Sequence, residues 1–274
     1  MRAYTSNKKI NKLLKKVDSI GLVPTMGSLH NGHLSLIKKA LIKNDKVIVS
    51  IYVNPKQFND YNDLKKYPRD IRNDLNKLKN FDNIVIFAPN DSDVYKKGER
   101  VKNFNFGKIS EVMEGRLRPG YFDGVGTIIE KLLKIFKPDN VYFGEKDFQQ
   151  LLFIKTLVIK LKLDVNIISC ETIRESDGLA MSSRNQFLNN AERESASQLI
   201  ILLKKAKELY GTSDLEAIKN NILKEAQLIN NLQVEYFEIL KLSNLVNIFE
   251  HKKEIRAFIA CRVGNTRLID NIRI

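Results

Sequence analysis

Cysteine, histidine and long apolar runs are what this sequence has least of. Its 274 residues hold two cysteines and three histidines. Cys170 and Cys261 lie far apart with no pairing pattern around either, which excludes a disulfide framework and points to a reduced, cytoplasmic setting. No apolar run approaches the roughly 18 residues that cross a bilayer. No apolar segment follows the opening Met-Arg-Ala-Tyr, so neither a membrane span nor a targeting segment is expected. Internal repeats and low-complexity linkers are missing as well. The formal net charge is +14, yet there is no arginine-rich stripe and no interleaving of aromatics with the basic residues. The lysines are spread among Asn and Ile, so nucleic acid is not expected as a natural partner; dispersed charge gives only non-specific attraction and suits anionic small ligands equally well.

Two of the three histidines fall in one stretch, Gly21-Leu-Val-Pro-Thr-Met-Gly-Ser-Leu-His-Asn-Gly-His33. The apolar run Ile20 to Val23 reads as a short buried strand. Pro24, Gly27 and Gly32 punctuate a turn, and Leu34, Ile37 and Leu41 recur at helical spacing. A strand, a glycine-bearing turn and a helix aim free backbone N–H groups and a positive dipole end at one point, which is an anion site. His30 and His33 lie on one face of the first helical turn. A metal pair is the weaker reading, since neither cysteine joins a ligand cluster and His251 is distant in sequence. Phosphate fits them better.

Met1 to Asp18 is lysine-rich and amphipathic and predicts a helix. Lys46 to Val53 is a near-continuous β-branched run of the kind buried on both faces of a parallel sheet. Strand, helix and strand form a βαβ unit, and ligands of such sheets sit beyond the carboxyl ends of the strands. Asn54 and Gln57 fall there, either as ordinary turn residues or as polar ligands. Pro68 opens a further helix containing Asp74, which reads by itself as a solvated carboxylate. Ile84 to Phe87 is the third strand, and Asp91 to Phe122 reads as a long irregular loop of the lid or interface kind. Val125 to Phe136 is a helix and Val141 to Phe143 the fourth strand. Gly144-Glu-Lys146-Asp147-Phe-Gln-Gln150 follows at its carboxyl end, where Lys146 suits a phosphate as a point charge. Leu151 to Leu161 is a helix, Val165 to Ser169 a fifth strand, and Met181-Ser182-Ser183-Arg184 a polar loop. Beyond Leu188 come two helices, Ala191 to Tyr210 and Asp214 to Asn230, and then strands at Val234 to Lys241, Ile255 to Val263 and Thr266 to Arg273, the last pair joined by a Gly264-Asn265 hairpin signal.

His-Asn-Gly-His in this setting resembles the His-x-Gly-His signature of the nucleotidyltransferase superfamily. Pro24 to His33, Asn-Pro-x-Gln-Phe from Asn54, Gly-Glu-Lys-Asp-Phe-Gln from Gly144 and Met-Ser-Ser-Arg-Asn from Met181 together resemble the pantothenate synthetase family, in order and over nearly the whole chain. Where that family usually carries Arg-Pro-Gly-His-Phe this chain has Tyr121, and Tyr121 is not counted among the site residues.

The resemblance implies an α/β fold, a Rossmann-like doubly wound parallel sheet over 1–174 with a smaller C-terminal α+β lid domain over 175–274. It implies an AMP-forming carbon–nitrogen ligase that joins pantoate and β-alanine through pantoyl adenylate, with ATP and Mg²⁺, as a homodimer. His30, His33, Lys146 and Arg184 are then the catalytic cations. Met26, Gly27, Gly144, Asp147, Met181, Ser182 and Ser183 join His33, Lys146 and Arg184 around ATP. Gln57, Gln150 and Asn54 hold pantoate, and Asp74 stands near the metal-bound phosphates. No protein nucleophile is evident, and adenylation needs none, because positioning and charge stabilisation carry it. Two alternatives compete. A transferase acting on a phosphorylated acceptor needs a second basic pocket where this chain has glutamines, and an RNA-binding module leaves the histidine pair unexplained.

Overall fold

The computed structural model describes residues 2–246 and 253–274. Residue 1 and His251 lie outside them. The chain divides into two compact units, residues 1–145 with 149–171 and residues 146–148 with 172–274.

In the first unit the strands are β1 (Ala3–Tyr4), β2 (Ile20–Thr25), β3 (Lys46–Ile51), β4 (Ile84–Phe87), β5 (Asn140–Gly144) and β6 (Asn166–Cys170). They form one parallel sheet in the order β1-β4-β3-β2-β5-β6. The helices between them include α1 (Asn7–Leu13), α2 (Asn31–Lys43), α3 (Tyr61–Lys66), α4 (Ile71–Leu78), α5 (Asp91–Val94), α6 (Met113–Leu117), α7 (Tyr121–Phe136) and α8 (Phe148–Lys160), whose first residue falls in the second unit. Val47, Ile48 and Val49 of β3 are fully buried in succession, as a strand covered on both faces requires. On one face Val23, Val47, Val49 and Tyr142 pack with Leu36, Ile37 and Ala40 of α2 and with Leu78 of α4. On the other, Phe87 meets Phe136 of α7 edge-on at 5.1 Å.

Sheet growth reverses between β2 and β5. Their pairing ends at Leu22↔Val141, whereas β2 stays paired with β3 as far as Thr25↔Ile51. The carboxyl ends of β2 and β5 therefore part, which is the switch-point crevice where doubly wound sheets bind ligands. Pro24, which has no N–H to give, lies where β5 has already left β2, so proline is tolerated inside this strand.

Several expectations need correction. The amino-terminal segment is a two-residue strand followed by a short helix, because the β4 edge accepts Ala3 and Tyr4 as parallel partners of Ile86 and Phe87. Residues 61–66 form a helix that the sequence reading did not contain, capped by Asp60. Pro68 precedes α4 and its cap is Asp70, whose side chain accepts the Asn73 N–H. The stretch 91–122 contains α5, a 3₁₀ turn at Gly107–Ser110 and α6, and α7 begins four residues before Val125.

The second unit holds α9 (Asn190–Leu209), α10 (Leu215–Gln227) and an antiparallel sheet of β7 (Leu232–Lys241), β8 (Ile255–Val263) and β9 (Thr266–Arg273). Its core joins Leu199, Leu203, Ile218 and Ile222 of the helices to Phe237, Ile259 and Cys261 of the sheet. Gly264, at φ 55°, makes the two-residue turn between β8 and β9. The unit also takes in two stretches placed in the first domain by the 1–174 expectation. Arg174 makes a two-pronged pair with Asp270 at 2.6 and 3.0 Å. Asn271 donates to the Lys146 carbonyl at 2.8 Å, and the Arg256 guanidinium lies 3.6 Å from the Phe148 ring centre.

Candidate active site

The turn after β2 is built on two left-handed residues, Gly27 at φ 80° and Ser28 at φ 49°. A side chain at Gly27 would meet Asp74 Oδ2 at 3.0 Å. Ser28 N–H donates to Asp74 Oδ2 at 3.0 Å and Leu29 N–H to Oδ1 at 2.7 Å. Lys77 donates to the Leu29 carbonyl. Asp74 is only 1% exposed, and burial pushes its carboxyl above the ordinary range against the pull of those N–H groups.

This arrangement changes two expectations. The turn's N–H groups at Ser28 and Leu29 are spent on Asp74 rather than offered to a phosphate. Asp74 itself is neither a solvated carboxylate nor placed to ligate Mg²⁺, since both its oxygens accept backbone N–H groups beneath the turn. Among the described residues no group of three or more His, Cys, Asp or Glu side chains could hold a metal ion.

The histidines sit where the sequence put them, at the start of α2. His30 is its N-cap residue, and His33 Nδ1 accepts the His30 N–H at 3.3 Å, with ring centres 4.0 Å apart. With Nδ1 accepting, neutral His33 carries its proton on Nε2 and offers a donor on the far side of the ring.

Beyond β3, Asn54 is 1% exposed and fully engaged. Its Nδ2 donates to Gln57 Oε1 and to the Gly124 carbonyl, each at 3.1 Å. Its Oδ1 accepts the Tyr95 hydroxyl at 2.8 Å and the Lys56 N–H at 3.2 Å. An amide with both donors and both acceptor sites used holds Gln57 in place and has nothing left for a ligand. Gln57 then directs Nε2 to Met26 Sδ at 3.1 Å, at the end of β2. On α8, Gln150 accepts the Tyr121 hydroxyl at 2.7 Å. Tyr121, Tyr95 and Arg118 are functional neighbours that the sequence reading missed. A Cβ on Gly144, the last residue of β5, would enter open space.

In the second unit Lys146 lies 3.8 Å from Asp147 Oδ2. The Met181–Arg184 loop is braced within that unit. Met181 N–H reaches the Ile173 carbonyl at 3.0 Å and Ser182 Oγ caps the Arg184 N–H at 3.2 Å. Asn185 donates to the Ala180 carbonyl at 3.1 Å.

A parallel doubly wound sheet with a histidine-bearing turn at its switch point, flanked by glutamine amides, defines a nucleotide-binding α/β enzyme of the adenylate-forming kind. The sequence model described as Pantoate-beta-alanine ligase matches residues 1–273. The chain belongs to that family and is accordingly a ligase of pantoate and β-alanine. It is 44% identical to the pantothenate synthetase of Flavobacterium psychrophilum over 97% of this chain and 95% of that protein. The pantoate-beta-alanine ligase of Thermus thermophilus superposes with a TM-score of 0.91 at 33% identity, covering 99% of both chains. That of Francisella tularensis, solved with beta-gamma ATP and beta-alanine, gives 0.84 at 38% identity, covering 100% of this chain and 97% of the other.

Proposed function

We propose that this chain activates pantoate by adenylation and then passes the pantoyl group to β-alanine. A carboxylate is inert to an amine until one oxygen becomes a leaving group. The pantoate carboxylate oxygen bonds to the α-phosphorus of ATP as the bond to pyrophosphate breaks. The β-alanine amine then attacks the acyl carbon, the bond to the AMP oxygen breaks, and the amine loses its proton. Pantothenate, AMP and pyrophosphate are the products.

The observation that carries this reading is the parting of β2 and β5 beside the His30/His33 turn and Gln57. Histidine N–H groups there suit the charge that develops on phosphate oxygens. Lys146, Asp147 and the Met181–Arg184 loop are assigned to the triphosphate by the resemblance of their motifs, and Met26, Gly27 and Gly144 to the nucleotide. Gln57 and Gln150 hold pantoate. Mg²⁺ enters with ATP as part of the substrate, since the Asp74 carboxylate does not fit it, and no step is routed through a protein-bound ion. A cytoplasmic homodimer completes the proposal; two buried free thiols support the reduced compartment. The test is isotopic: pantoate labelled with ¹⁸O in its carboxylate leaves one label in AMP, whereas unlabelled AMP or the appearance of ADP and phosphate refutes the adenylate.

A further inference from the structure

The two glutamines share an arrangement. Gln57 Oε1 is taken by Asn54 Nδ2, and Gln150 Oε1 by the Tyr121 hydroxyl. Each amide thus has its acceptor end turned toward the protein and its Nε2 end directed elsewhere. The two are also joined. The Arg118 guanidinium lies 3.7 Å from the Tyr121 ring centre, donates to the Gln57 backbone carbonyl at 3.3 Å and pairs with Glu114 at 3.5 Å. Glu114 N–H is in turn fixed by Gln149 Oε1 at 3.1 Å, and Gln149 donates to the carbonyls of Ile109 and Val112. Tyr121 is 7% exposed and opens α7 behind Gly120, whose φ of 78° sets the ring's starting direction.

We propose that Tyr121 is a positioning residue for the acid substrate. Its hydroxyl holds the Gln150 amide with Nε2 outward, and Arg118 ties that amide to the frame that carries Gln57. The result is a pair of amide donors suited to a hydroxylated carboxylate, whose oxygens accept. A flipped Gln150 sets a carbonyl oxygen against the anion, and donation from Tyr121 into Oε1 strengthens the outward N–H by polarising the amide. An analogue that must donate at these points is refused, since its donors would face donors. This inference rests on Gln57 and Gln150 lining the pantoate pocket.

Tyr121→Phe removes the hydroxyl and keeps the ring under Arg118. Steady-state kinetics should show KM for pantoate raised about 3–10-fold, the span for one hydrogen bond, with KM for ATP within about twofold. Placed on Gln150→Ala, the same change should add nothing further, because its effect passes through that amide. Arg118→Lys, which keeps the charge but loses the flat stacking face, should shift the same parameter in the same direction. Pantoate KM unchanged in Tyr121→Phe and Arg118→Lys but raised in Gln150→Ala overturns the positioning role and leaves the pocket standing. Unchanged KM in all three overturns the pocket as well. Equal losses for pantoate and ATP in Tyr121→Phe mean a merely structural hydroxyl and overturn the inference.

Discussion

His33 Nδ1 accepts the backbone N–H of His30, so the first histidine's main chain fixes the second one's tautomer. The bond closes the first turn of α2 and leaves His33 Nε2–H as the donor available to an anion. Removing a donor that acts on charge developing in a transition state costs roughly 10²–10³ in turnover. His30→Ala and Lys146→Ala should each show that loss with an intact fold, as neither side chain belongs to an apolar core. Near-normal turnover in either, measured by AMP release, would contradict the assignment.

Gln57→Ala and Gln150→Ala should weaken pantoate use far more than ATP use, because a buried amide that loses its ligand discriminates by its missing hydrogen bonds. Separate kcat/KM values for the two substrates decide this. Equal losses would take the glutamines out of the acid pocket.

Asp74→Asn tests the support beneath the turn. One of the two backbone N–H groups at Ser28 and Leu29 would then face an amide N–H₂ instead of an oxygen. We expect a loss of about 1–3 kcal/mol in unfolding free energy, the cost of an unsatisfied buried group, read from urea titration. Unchanged stability would mean that the carboxylate does not hold the turn.

Cys261 is fully buried in the second unit, and burial pushes its thiol up to about 12. An unfolded thiol ionises at about 8.5, so between these values the unfolded chain gives up a proton that the folded chain keeps. The stability from this group is therefore complete below about 8.5 and declines as pH rises toward about 12. Cys261→Ala should flatten the fall of unfolding free energy with pH across that window. The native thiol should resist iodoacetamide at mildly alkaline pH and react once the chain is unfolded.

Much of this was legible where chemistry is local. The alternation in Ile255–Val263 and Thr266–Arg273 and the Gly264 turn between them gave both strands without adjustment. The β-branched run from Lys46 gave a buried strand. What escaped depends on residues distant in sequence. Ala3–Tyr4 becomes a strand only because the edge of β4 is there to pair with it. Asp74 meets Ser28 across 46 positions and Tyr121 meets Gln150 across 29, and no periodicity encodes either contact. The same applies to Asn54, whose place after a strand suggested a ligand contact but whose four hydrogen bonds all go to the protein.

The central claim is that pantoate meets the α-phosphorus before the amine takes part. The direct measurement is exchange of labelled pyrophosphate into ATP by the purified protein with Mg²⁺, ATP and pantoate and without β-alanine. The account predicts exchange that depends on pantoate and disappears when pantoate is omitted. Exchange that requires β-alanine, or that proceeds without pantoate, would contradict it.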